Sequence, residues 1–388
     1  MEIEIEKLSE EFARKFEGRP RFFQAPGRVN LIGEHTDYNE GFVMPFAIDR
    51  QTIVAASRRE DSRLNVYARD LNQTAAIDLK DEPHIQTKTW MDYVEGSVRS
   101  VAERFSFEPS GADLIVTSTV PIGAGLSSSA AIEIAVAFAI LALNDIPIEL
   151  ENLAFAGQMA EHTYVGIRSG IMDQFASVFG KKGNAMLLDC RSLERKYVPV
   201  ADERVTIAVV DTKVKHNLAS SEYNTRRAEC EAAVNILSKQ LPEVRSLRDV
   251  TQQQLGQYGN LLTENTLKRA RHVVSENQRT LDAAEAFGEG DFGSAGKLMF
   301  ESHESLRDDY EVSCDELDFL VDVASGIAGV FGSRMTGGGF GGCTVNLLKK
   351  DSIDEFRDTS VKLYASKFGF EPDFYIFEAA DGASEIAG

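Results

Sequence analysis

The sequence predicts an α+β protein of two lobes, and three observations carry that reading. The chain has 388 residues, more than one hydrophobic core normally supports, so about two domains of 150 to 200 residues are expected. Helical and strand patterns are mixed without the strict strand–helix–strand repeat of a parallel sheet. A polar stretch from Tyr197 to Glu203, containing Pro199, separates the halves and divides the chain into 1–200 and 201–388.

In chain order, Gln51 to Ala56 and Leu64 to Tyr67 read as strands. Asp113 to Val120 does too, with Leu114, Val116 and Ser118 on one face and Ile115, Thr117 and Thr119 on the other. Pro121, a glycine-rich bend and an apolar helix from about Ser129 to Leu143 follow. Leu150, Leu153, Ala154 and Gly157 recur at helical spacing on a helix that carries Glu161 towards its end. Another helix begins near Gly170, and Ala185 to Leu188 is a strand. The second half opens with the strand Val205 to Val210 and is helical and charged from Ser221 to about Gly329. It closes with a glycine run at Gly337 to Gly342, a strand at Cys343 to Leu348, a helix over Ile353 to Lys367 and a strand at Phe374 to Glu378.

Composition excludes several classes. With 43% hydrophobic and 26% charged residues the chain has the material of a globular protein. Its 41 Lys and Arg against 61 Asp and Glu give a net charge of -20, which opposes a nucleic acid held by counterion release. The four cysteines lie far apart, with no zinc-type spacing, and the acidic N-terminus lacks a signal-peptide pattern. The longest apolar stretch, Ala130 to Leu143, contains Glu133 and falls short of the roughly 20 residues a spanning helix needs. A soluble, cytoplasmic protein with free thiols and no membrane partner is expected.

Two resemblances to famous motifs lack their context. Gly288 to Gly293 fits G-x-G-x-x-G and contains Asp291-Phe-Gly, yet it follows helical sequence and no H-R-D loop exists. It reads as a turn between helices. Pro121 to Ala131 (PIGAGLSSSAA) is different, because it links a strand to a helix start. Gly123 and Gly125 let the backbone approach a ligand closely, and Ser127, Ser128 and Ser129 leave N–H groups at a helix N-terminus. That arrangement suits an anion cradle and equally suits a plain serine-capped turn. Ala25 to Asn39 (APGRVNLIGEHTDYN) packs Arg28, Glu34, His35, Asp37 and Tyr38 into one glycine-punctuated stretch. Such a set fits a polyhydroxylated ligand, whose hydroxyls need paired donors and acceptors, or, standing alone, a solvated charged loop. Phe340 within the glycine run Gly337 to Gly342 points to a structured loop rather than a linker.

Together these three segments, in this order, resemble the GHMP family of small-molecule kinases, and Gly27 to Tyr38 is close to the signature of its galactokinase branch. The resemblance runs from about Pro26 to Val345. It implies an N-terminal lobe like ribosomal protein S5 domain 2, a ferredoxin-like C-terminal lobe, and ATP-dependent phosphorylation of galactose at its C1 hydroxyl. Residues Gly123, Ala124, Gly125, Leu126, Ser127, Ser128 and Ser129 match the family's phosphate loop. Ser129 and Glu161 would bind Mg2+. Asp173, twelve positions after Glu161, would orient and deprotonate the sugar hydroxyl. Arg28 would hold that aspartate ionised and neutralise charge on the transferring phosphoryl group. Glu34, His35, Thr36, Asp37, Gly170 and Tyr223 would join Asp173 around a hexose. The chain departs from many bacterial relatives in one place: Ala68 stands after Tyr67 where they carry a serine that contacts ATP. A monomer is expected. The competing readings are a related sugar 1-kinase for N-acetylgalactosamine, arabinose or a uronate, and a non-catalytic galactose sensor. Like charge on Glu34 and Asp37 opposes a uronate.

Overall fold

The computed structural model describes residues 3–215 and 219–387. The first half contains α1 (Ile5–Lys15), β1 (Arg21–Asn30), β2 (Phe42–Val43), β3 (Pro45–Arg58), β4 (Arg63–Ala68), β5 (Gln73–Asp78), α2 (Met91–Arg104), β6 (Ala112–Ser118), α3 (Ser128–Leu143), α4 (Leu150–Ala160), α5 (Met172–Phe179), β7 (Asn184–Asp189) and β8 (Arg195–Pro199). The second contains β9 (Val205–Lys215), α6 (Ala219–Leu237), α7 (Gln252–Tyr258), α8 (Glu264–Glu289), α9 (Phe292–Ser305), α10 (Asp315–Ser325), β10 (Val330–Thr336), β11 (Gly341–Lys349), α11 (Ile353–Phe368), β12 (Asp373–Ile376) and β13 (Ser384–Ile386).

A six-stranded sheet ordered β13-β1-β3-β6-β4-β5 forms the N-terminal lobe. Its strands are antiparallel except for the parallel β4–β6 pair. Strand alternation sorts its side chains. Ile53 and Ala55 of β3 face Leu8 and Phe12 of α1, whereas Val54 and Ala56 face the main core with α3. Helix α3 is apolar on almost every side because it packs on β1 and β3 beneath and on α2, α4 and α5 around it. That burial fixes its N-terminus at the mouth of the lobe.

The second sheet, ordered β10-β11-β9-β12, is wholly antiparallel. Its elements run strand, helices, two strands, helix, strand, the ferredoxin-like pattern expected from the resemblance. The lobes are not independent, because Val29, Leu31 and Ile32 share one core with Met299, Val345 and Leu347. The expected boundary falls in the short connection between β8 and β9. The tail returns across it: Phe22 of β1 pairs with Ile386 of β13, so residues 201–388 do not all stay in the second lobe.

Gly288 to Gly293 is a helix-to-helix turn. Gly290 ends α8 with φ 71°, and the Asp291 side chain accepts from the Ser294 N–H to cap α9. Helix α2 leaves no clear mark in the sequence. Its buried residues include Asp92, Glu95, Ser97 and Ser100, so an apolar stripe is not visible.

Candidate active site

The loop between β6 and α3 has the shape of an open anion cradle. Gly123 and Gly125 take positive φ values of 76° and 74°, and Ser127 joins them at 56°. No side chain caps α3 and no acidic residue occupies its first turn, so its first N–H groups and positive dipole end stay available. Gly123, Gly125 and Leu126 to Ser129 line a cavity of about 580 Å3 that also touches Arg28 and Asp173. Ala124 turns inward instead: it is 1% exposed, and its carbonyl accepts from the Cys343 thiol.

Asp173 sits in the first turn of α5, reached by a guanidinium from β1. Arg28 donates Nε–H to Oδ1 at 2.8 Å and Nη2–H to Oδ2 at 2.9 Å, a bidentate pair that fixes both side chains. A third donor, the Ser127 hydroxyl, reaches Oδ2 at 2.6 Å. Arg28 also donates to the Gly125 carbonyl at 2.7 Å. One residue therefore ties the carboxylate to the cradle. Arg28 Nη2 also lies 2.8 Å from Oδ1, so three donors crowd both oxygens of a carboxylate that has roughly four acceptor positions.

Glu161 begins a π-helical turn, residues Glu161–Val165, at the end of α4. Such turns recur at functional positions. Its carboxylate is buried and accepts from the Ser169 hydroxyl, from Gln174 Nε2 at 3.2 Å and from Ser129. Burial pushes its pKa up, and the nearby Asp173 adds to the shift.

The stretch around Glu34 is built from side chains. Glu34 is 1% exposed and accepts from Asn30 Nδ2 at 2.6 Å, Thr336 Oγ1 at 3.2 Å, the Gly337 N–H at 2.8 Å and the Arg334 guanidinium. Three donors and the Thr336 hydroxyl, whose one proton is shared with the Asn30 carbonyl at 3.0 Å, surround it and join the two lobes. The Thr36 hydroxyl is buried against the carbonyls of Gly33 and Phe42, so it holds its own turn. Asp37 accepts from the N–H groups of Tyr38 and Met172. Burial, helped by the charge of Asp173, raises its pKa to about 6. Gly170 is required beside it: a Cβ there would lie 1.9 Å from Asp37 Oδ2. His35 is neutral, since burial and His272 hold its pKa well below 6.5. Tyr223 packs 5.4 Å from the His35 ring and faces Gly338. Asp37 and Gly170 thus lie beside Asp173, and Tyr223, with His35 against it, meets Gly338; Asp173 and Gly338 line the cavity.

Comparison with known proteins identifies the family. The galactokinase galactose-binding signature matches residues 10–58, and the N-terminal and C-terminal domains of GHMP kinases match residues 92–181 and 283–359. A galactokinase of Chloroflexus aurantiacus is 47% identical over 382 residues, 98% of this chain and 97% of its own. The chain belongs to the galactokinases. The Thermotoga maritima galactokinase is 43% identical, with 94% of this chain and 99% of its own covered. The crystal structure of Lactococcus lactis galactokinase complexed with galactose superposes with a TM-score of 0.94 at 35% identity, covering 98% of this chain and all of the other. A mevalonate kinase of 18% identity, with a TM-score of 0.63 and coverage of 92% and 99%, shares the fold.

Against that family background, several site residues carried no sequence signal. Arg334, fully buried, donates to Glu34 and to the carbonyls of Asn30 and Leu31. Only its place just before the glycine run could have drawn attention to it. The outer wall of the cavity is apolar, with Leu71, Trp90, Tyr93, Ile122 and Ile132 beside Ala68. These come from separate segments, and Ile122 is 62% exposed. The serine missing at position 68 leaves a methyl group in that wall.

Proposed function

We propose that this chain transfers the γ-phosphoryl group of ATP to the C1 hydroxyl of galactose, giving galactose 1-phosphate and ADP, with Asp173 and Arg28 at the reacting centre. The observation that carries the reading is the bidentate Arg28–Asp173 pair, which stands where the phosphate cradle meets the sugar signature. The C1 oxygen attacks phosphorus as the bond to the β,γ-bridging oxygen breaks, and charge spreads over the transferring group. Arg28 and the α3 N–H groups neutralise that charge. Asp173 accepts the C1 hydroxyl's hydrogen bond. Three donors already hold this carboxylate, so it acts mainly by orienting the nucleophile.

Ser129 and Glu161 offer adjacent hard oxygens, and the buried Glu161 lacks a cation among its hydrogen-bond partners. That donor set fits Mg2+, which would add Lewis-acid neutralisation of the phosphates. Asp37, the His35 ring and Tyr223 give the sugar side both acceptors and donors, while Glu34 and Thr36 hold its wall in place. Leu71, Trp90 and Ile122 suit the nucleotide base, supplying the apolar contact that Ala68 extends. We assign the chain to a reducing, cytoplasmic setting, a reading supported by its unpaired cysteines. No helix among the described residues is long and apolar enough to cross a membrane.

Mg2+-dependent ADP release, measured across a panel of free sugars with the product followed by 31P NMR, tests the proposal. Galactose should give ADP and a sugar 1-phosphate. Sugar binding without turnover of any sugar would refute it.

A further inference from the structure

His35 carries two unusual features. Its backbone is left-handed, φ 62°, a conformation uncommon for residues with a side chain. Its Nε2 is buried without a hydrogen bond of normal geometry among the described residues, the backbone of Gly338 being a polar group that faces the ring, although buried polar groups are nearly always paired. The other ring nitrogen is engaged. Nδ1 lies 2.8 Å from the Tyr38 hydroxyl, that oxygen lies 2.7 Å from the Tyr310 hydroxyl, and Tyr310 in turn lies 3.1 Å from the Cys230 sulfur. Tyr310 is fully buried, sandwiched between the rings of His35 at 4.7 Å and His272 at 4.6 Å.

Proton counting gives this chain a direction. Burial raises the Cys230 thiol to about 11, so it keeps its proton near neutrality. Each thiol or phenol can donate once. Sulfur is a weak acceptor and an imidazole nitrogen a good one, so the favoured order is Cys230 to Tyr310, Tyr310 to Tyr38, and Tyr38 to His35 Nδ1. The reverse order would aim a phenol proton at sulfur. A neutral ring whose Nδ1 accepts must carry its proton on Nε2.

We propose that Tyr38, Tyr310 and Cys230 are positioning residues that fix His35 as its Nε2–H tautomer, a neutral donor offered to a sugar hydroxyl. This rests on the assignment of residues 34–37 to the sugar wall. The ring's neighbour Tyr223 packs on Gly338, which lines the cavity shared with Asp173. A neutral donor there complements Asp37, an acceptor, and a sugar hydroxyl needs both.

The test is long-range 1H–15N NMR on the full chain labelled at histidine, with steady-state kinetics alongside. The wild type should show His35 as Nε2–H, and galactose should shift that signal. Tyr38→Phe should bring in the Nδ1–H form and raise the KM for galactose about 10-fold, the scale of one hydrogen bond. Its kcat and its KM for ATP should stay within about 3-fold. Should that variant not fold, Tyr310→Phe gives the same readouts with a smaller change. An Nδ1–H tautomer in the wild type, or an unchanged tautomer and KM in the folded variant, overturns the relay. The expected tautomer with no response to galactose overturns the donor role and the sugar-wall assignment while leaving the relay intact.

Discussion

The two walls of the cavity are built from different materials. The proposed phosphate wall, Gly123 to Ser129, is one continuous stretch that would meet its ligand with backbone N–H groups and a helix dipole, and it needs little beyond positive φ values. The proposed sugar wall is assembled from side chains of β1, the loop after it, the turn before α5, helix α6 and the glycine run, held largely by one another, with His35 Nε2 the exception. A phosphate chain has the same charge whatever it is attached to, so dipoles suffice. A hexose must be distinguished from its epimers by individual hydroxyls, and that requires fixed side chains.

Variants should therefore separate the walls. Among variants that act on one wall alone, the largest effect is expected at Gly170→Ala, whose Cβ would collide with Asp37. We expect the KM for galactose to rise about 100-fold with the KM for ATP nearly unchanged, and equal changes in both constants would show that the walls are not separable. Next is Glu161→Gln. Half-maximal activity should need about 10-fold more Mg2+, and Mn2+ binding followed by electron paramagnetic resonance should weaken in parallel without loss of galactose binding. Ser127→Ala removes one of three donors on Asp173 and should lower kcat about 10-fold, with both KM values held. A rise in the KM for galactose instead would move Ser127 to the sugar wall.

The smallest effect is a pH dependence confined to the sugar wall. Asp37 has its pKa raised to about 6 from 3.8, so the ligand-free folded protein binds a proton more readily than the unfolded chain. Stability from this group is therefore present at low pH and lost as the pH rises from about 4 to 6. Galactose recognition by the carboxylate runs the other way, so the KM for galactose should climb a few-fold below about pH 6, with the profile for ATP flat. Asp37→Asn should abolish that slope, and its persistence would assign the titration to another group.

The contrast also explains what could be read from sequence. Local features were legible: the glycine and serine punctuation of the loop before α3, the α3 start, the strands β9, β11 and β12, and the Arg28 and Asp173 motifs, whereas β10 was not and the ferredoxin-like order came from the family resemblance. Features made by distant segments were not. Glu34 meets Arg334, 300 positions away, and Tyr38 meets Tyr310 272 positions away. Neither partner stands in a pattern that marks it. Strand β13 was missed for the same reason, since its partner β1 lies at the far end of the chain. Glu34 and Thr36 were legible as members of a motif, while their use as supports became visible only through their donors and acceptors.

The two walls meet at Asp173, so the most direct measurement compares Asp173→Asn with the wild type in galactose binding by calorimetry and in single-turnover phosphoryl transfer. Galactose should still bind within about 10-fold, while transfer should fall by about 1,000-fold or more. Near-normal transfer by Asp173→Asn would contradict the placement of the reacting centre at the Arg28–Asp173 pair.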